Sequence, residues 1–180
     1  MFDRYALEAA VEQGKSFTWR FFWKPTLRED GATDDACFSQ WWQSDFVVDG
    51  IRYQTAEHWM MAGKARLFRD EEVLEEILAV NDPRTVKALG RKVRNFDEDT
   101  WKKHRFDLVV DGNIAKFSQE PSLLQHMRET GDAVLVEASP LDRIWGIGMG
   151  ESNIHAVNPA RWQGLNLLGF ALMKARHSLR

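Results

Sequence analysis

The stretch YQTAEHWMMAGKARLF, Tyr53 to Phe68, constrains this chain more than any other. Its spacing predicts a helix, with Thr55 as the N-cap and no proline between Ala56 and Phe68. Glu57, Met61, Lys64 and Phe68 fall at i, i+4, i+7 and i+11, so they share one side. A stripe carrying Met and Phe belongs against a core, yet this one also carries a carboxylate and an ammonium. Buried charge is costly unless it is paired or used. The plain reading is an acid that complements the helix dipole and a lysine that snorkels to solvent. The chemical reading makes Glu57 a general acid or base; a helix N-terminus lowers its pKa and suits a base or an ionic stabiliser better. In the same reading, Lys64 is a phosphate ligand or a desolvated amine nucleophile on a sugar C1.

Around this helix the pattern is mostly helical. Asp3 to Gln13 reads as a short amphipathic helix closed by Gly14. Ser16 to Trp23 alternates Phe17, Trp19, Phe21 and Trp23 on one strand face. Lys24 to Asp35 is a surface loop, and Cys37 to Trp42 is aromatic with no clear period. Asp49-Gly50 makes a hairpin of Phe46 to Tyr53. Helices follow at Asp70–Ala79, from Asp82-Pro83 to about Val93, and at Asp97–Phe117, where Gly112 interrupts the pattern. Pro121–Glu129 is a shorter helix, Ala133–Ser139 a strand, Asp142–Gly150 a glycine-rich loop, and Pro159 to about His177 a final helix. The class expected is α+β: one predominantly helical domain with a small antiparallel sheet.

At 180 residues the chain can bury a core of its own. A net charge of -3, with no basic cluster, disfavours nucleic acid and anionic membranes as partners. The single cysteine, Cys37, forms no internal disulfide and reads as a core residue in a reducing compartment. No signal-like segment or membrane-length apolar run is present, so a cytoplasmic location is expected. The five histidines show no metal-ligand spacing, and there is no phosphate-binding loop, so neither metal nor cofactor is expected.

Three further groups stand out. In SPLDRIWGIG, Asp142 and Arg143 follow a strand end, and Trp145 sits beside Gly146 and Gly148, a ring next to approachable backbone. The alternative there is a turn capped by Asp142 and closed by a core tryptophan. Glu137 is an acid in an otherwise apolar strand, facing either solvent or a cavity. In DGNIAKF, Asn113 and Lys116 lie one turn apart, and Asn166 sits among leucines, where a buried amide needs partners, from a ligand or from a local network.

These segments together resemble the YbiA-like, or NADAR, family. The likeness runs from about Phe17 to Arg176 and rests on FSQWW, DGIRYQTAEHWMMAGKARLF, Trp101, AKF at Ala115–Phe117, TGDAVLVEASPLDRIWGIG and GLNLLGFALM. It implies a YbiA-like domain over 16–180 behind a helical extension at 1–15. It implies an N-glycosidase acting on phosphoribosylamino-pyrimidine intermediates of riboflavin biosynthesis and releasing ribose 5-phosphate. The family's acidic positions fall on Glu57 and Asp142 and its lysine on Lys64. Trp101 and Trp145 would sandwich the pyrimidine, with Lys116, Glu137, Arg143, Asn166 and Gly146 completing the shell. Such cleavage passes through an oxocarbenium-like state, which a carboxylate near C1 stabilises. A related branch removes ADP-ribose from guanine, the one route to a nucleic-acid substrate, and the family name keeps a non-catalytic NAD- or ADP-ribose-binding module as an alternative. No obligate protein partner is implied.

Overall fold

A computed structural model describes residues 2–26, 28–30 and 32–180. Leu27 and Gly31, within the loop expected at Lys24–Asp35, and Met1 lie outside the described residues. The chain forms two compact units, Met1–Ser39 with Ser122–Arg180 (unit 1) and Gln40–Pro121 (unit 2). Helices dominate and sheet is sparse, as the α+β reading expects.

Unit 2 opens on a hairpin of β1 (Phe46–Val48) and β2 (Ile51–Tyr53), antiparallel as expected. Asp49 and Gly50 both take positive φ, 52° and 77°, as a tight two-residue hairpin turn requires. Four helices follow: α1 (Ala56–Leu67), α2 (Glu71–Ala79), α3 (Pro83–Gly90) and α4 (Glu98–Gln119). The first of them packs against the other three. Gly112 does not break α4. A Cβ there would stand 2.2 Å from the Trp59 ring, so the glycine admits an indole between α1 and α4. That ring is fixed by its Nε1 donating to the Leu108 carbonyl at 2.7 Å.

The start of α2 is held by Asp70. Its carboxylate accepts from Val73 N at 3.4 Å, from Arg94 N at 2.8 Å, and from the Arg94 guanidinium. The guanidinium bond, then the backbone N–H, hold its pKa at about 2, below the ordinary 3.8. A folded pKa below the unfolded one gives stability that is present above the unfolded value and lost as pH falls through the folded value. The fold should therefore weaken between about pH 4 and about pH 2. Asp70→Asn should lower the urea midpoint at neutral pH and flatten its acid dependence; an unchanged acid slope would remove this residue from the account.

In unit 1, β3 (Trp19–Phe22) pairs with β4 (Val134–Glu137), Trp19 opposite Val134 and Phe22 opposite Glu137. This pair is parallel, unlike the antiparallel arrangement expected. Val134, Leu135 and Val136 are all fully buried, on both faces of the strand, which is the setting of parallel ladders. The aromatic face expected of β3 also differs. Phe22 is the buried ring, 5.6 Å from Phe38 in a short 3-10 helix, while Trp23 is 37% exposed. Phe17 and Trp19 pack instead toward Trp162.

Unit 1 is completed by α5 (Arg4–Glu12), α6 (Pro121–Glu129), which begins at its boundary, and α7 (Leu167–Ser178). The final helix is shorter than the expected Pro159–His177. Gln163 and Leu165 give their N–H groups to the carbonyls of Ile147 and Arg143 rather than to helical partners. A Cβ on Gly164 would sit 2.2 Å from the Gly146 carbonyl, so the chain lies against the preceding loop as irregular backbone until Leu167. No helix among the described residues is long and apolar enough to cross a membrane.

Candidate functional site

In unit 2 the candidate residues gather at two places along α1. At its N-terminus, Thr55 caps the helix, its Oγ1 accepting from His58 N at 3.4 Å. Glu57 lies in the first turn, 5% exposed, and its N–H donates to the Gln40 carbonyl at 3.0 Å. His58 is buried beside it. Nε2 faces the Val80 carbonyl at 3.0 Å, an acceptor only, so Nε2 carries the proton and Nδ1 accepts from the Thr55 hydroxyl at 2.8 Å. Burial pushes the His58 pKa down, in keeping with this neutral tautomer. Histidine thus fixes the segment that presents Glu57.

Gln40 links this turn to α4. Its Nε2 donates to Asn113 Oδ1 at 3.3 Å, and Asn113 Nδ2 donates to Val109 O at 2.8 Å. Lys116 follows one turn later and is fully buried, its ammonium 5.1 Å from the Phe117 ring. Glu57, Gln40, Asn113 and Lys116 are all under a tenth exposed. Polar groups of this kind are rarely buried without a use or a tight network. The sequence marked Glu57, Asn113 and Lys116. It missed Gln40, for which the only signal was its place in FSQWW, and His58, which it treated only as a non-ligand.

Lys64 stands about 10 Å further along the helix axis. Its ammonium donates to the Gly90 carbonyl at 2.7 Å, lies 4.2 Å from the Phe96 ring and 5.8 Å from Trp101. Burial pushes its pKa down, and Glu98 partly opposes this. Trp101 is 7% exposed, so its ring offers little surface to a ligand.

In unit 1, Asp142 Oδ1 accepts from Ile144 N and Trp145 N, both at 2.8 Å, the turn cap weighed from the sequence. Trp145 is half-buried and Arg143 exposed, reaching Gln163 Oε1 at 3.2 Å. A Cβ on Gly146 would come 2.9 Å from the Glu137 carbonyl, so the loop lies tight on the end of β4. Asn166 is fully buried in the left-handed region, φ 55°. Its Oδ1 accepts from Glu137 N at 2.9 Å and its Nδ2 donates to Leu135 O at 3.0 Å, so the amide acts as a further strand partner to β4. The first N–H groups of α7, on Leu167 and Leu168, go to the carbonyls of Ile144 and Trp145. The helix terminus is therefore spent on the loop that carries Asp142.

A family model described as NADAR domain matches residues 21–180. The chain belongs to the NADAR domain family. It is similar to N-glycosidase R617 of Acanthamoeba polyphaga mimivirus, 44% identical over 77% of this chain and 85% of the relative. It is also similar to N-glycosidase Npun_R5314 of Nostoc punctiforme, 29% identical over 80% of this chain and 85% of the relative. The Zea mays riboflavin biosynthesis protein PYRR is 29% identical over 73% of this chain, which spans 20% of that longer protein. Among solved structures, the NMR structure of the E. coli protein YbiA superposes with a TM-score of 0.68 at 28% identity, covering 92% of this chain and 86% of that one. This NADAR protein is a hydrolase of N-glycosidic bonds.

Proposed function

We propose that this NADAR N-glycosidase acts on phosphoribosylamino-pyrimidines, adding water across the bond between the sugar C1 and the exocyclic amine. The products are ribose 5-phosphate and a free aminopyrimidine. The observation that carries the reading is the burial of Glu57 and Lys116 around the Gln40–Asn113 pair. A carboxylate held in a low-dielectric turn stabilises positive charge developing at C1 far better than one in water. We assign that role to Glu57. The names of relatives in riboflavin biosynthesis support the substrate class.

Asp142 is the second acid of the proposal. Its Oδ1 is committed to the turn, which fixes the direction of the carboxylate. Lys64 enters as a cation already engaged by Gly90 O, a geometry that fits a held charge better than a mobile nucleophile. Asn166 enters as the bracket that sets the end of β4, where Glu137 sits.

Incubation of the protein with 2,5-diamino-6-(5-phosphoribosylamino)pyrimidin-4-one should release ribose 5-phosphate, followed by mass spectrometry. Release of ADP-ribose from ADP-ribosylated guanine, with the pyrimidine ribotide left intact, would move the substrate to the other branch. Tight binding of ADP-ribose with no turnover of either would favour the binding module.

A further inference from the structure

Arg105 lies on α4 between the two places where the candidate residues of unit 2 gather. Trp101, Arg105, Val109, Asn113 and Lys116 follow one helical stripe and are all under a tenth exposed. A guanidinium carries five N–H donors, and buried donors are almost always matched. The other arginine buried this deeply among the described residues, Arg176, donates to Thr130 Oγ1 at 2.6 Å and to the Ala133 carbonyl at 2.9 Å. The Arg105 guanidinium makes no hydrogen bond to any described residue. Its ion-pair partner is the Glu98 carboxylate at 3.9 Å, too far for one.

Lys64 converges on the same carboxylate. Its ammonium has three donors, and the Gly90 carbonyl takes one of them, at 2.7 Å. Burial pushes its pKa down, and Glu98 opposes the fall. Glu98 is itself half-exposed and also lies 3.7 Å from Lys102, so it is loosely held. Lys64 and Arg105 against Glu98 leave one positive charge over, with most of their donors unused. The planar Arg fork matches two oxygens of a phosphate, and the lysine adds a point charge. Lys64 stands about 10 Å along α1 from Glu57. A ribose bridges a span of this order from C1 to a 5-phosphate, with side chains reaching in from each end.

We infer that Arg105, with Lys64 beside it, anchors the 5-phosphate of the substrate, and that Glu98 holds the place which the phosphate takes. The inference deepens the proposed function, on which it rests, and every residue it uses belongs to unit 2.

Calorimetry with ribose 5-phosphate and with ribose tests the anchor without any turnover. The wild type should bind the phosphate ester and not the free sugar. Arg105→Gln should weaken that binding roughly tenfold to a hundredfold, the worth of hydrogen bonds between charged groups. Arg105→Lys, which keeps the charge without the fork, should recover only part of it. Glu98→Gln removes the competing carboxylate at a half-exposed position and should tighten binding several-fold. In turnover, Arg105→Gln should lose most of the wild-type preference for the phosphorylated ribotide over its dephosphorylated counterpart, mainly through KM. Equal affinity in Arg105→Gln, no phosphate-dependent binding by the wild type, or unchanged or weaker binding in Glu98→Gln overturns the anchor. The last of these leaves Arg105 in place, so it decides the matter even where Arg105→Gln does not fold. Arg105-dependent binding of ribose 5-phosphate by a protein that does not cleave the ribotide would keep the anchor and sink the proposed reaction. Cleavage of the phosphorylated and dephosphorylated ribotides equally well would keep the reaction and sink the anchor.

Discussion

Glu57→Gln should lower kcat for the pyrimidine ribotide by roughly a hundred- to ten-thousand-fold, the range removed with a group that acts on charge or protons in the transition state. The substitution keeps the shape of the side chain, and the bond from residue 57 N–H to the Gln40 carbonyl involves only backbone. The Thr55 cap and the Thr55–His58–Val80 chain are likewise untouched. Turnover should therefore fall far more than the melting temperature does. Steady-state kinetics beside thermal unfolding separate the two effects. A variant with kcat within a few-fold of the wild type would take Glu57 out of the chemistry and leave it as an acid that complements a helix dipole.

Gly169→Ala should have the largest effect on stability. A Cβ there would lie 2.1 Å from the Leu135 carbonyl, 2.5 Å from Asn166 Nδ2 and 2.7 Å from Asn166 Oδ1. Backbone cannot yield as the tip of a flexible side chain does. Either α7 shifts away from β4 or the Asn166 amide loses both of its bonds. Overpacking of this kind plus buried amide groups left unmatched should cost on the order of 3 kcal/mol. A urea titration followed by far-ultraviolet circular dichroism measures it. A midpoint unchanged from the wild type would show that α7 and β4 have more slack than the contact distances imply.

What the sequence disclosed follows the range of the forces involved. The α1 helix, its Thr55 cap and the Asp49-Gly50 turn are set by neighbours within a few residues, and the pattern showed them. The parallel pairing of β3 with β4 joins residues about 115 apart, and no local pattern carries that information. The break between Pro159 and Leu167 was hidden for a related reason. Helical spacing was present, but the carbonyls of Arg143 and Ile147, distant in sequence, compete for the backbone N–H groups. Gly112 was misleading in the opposite sense, since it reads as a helix breaker and acts as a seat for Trp59.

The candidate site divides the same way. Glu57 was visible as a charge out of place on an apolar face and Lys116 as a polar partner one turn from Asn113, and both are buried. Gln40 was not, because its importance lies in a hydrogen bond to Asn113, 73 positions away. Trp23 was read only as part of an alternating strand face, because alternation gives a strand two faces without saying which of them is covered.

The long separation of β3 from β4 also orders events during synthesis. Residues 40–121 form their own unit, and all of them are synthesised before Val134–Glu137. Four helices and a hairpin can settle while β3 still lacks its neighbour, and domains generally fold as units as they emerge. A fragment ending near residue 125, free of the ribosome, should show amide protection across 40–121 and none at Trp19–Phe22. Chaperones that shield apolar segments would then meet WRFF as the exposed stretch of the growing chain.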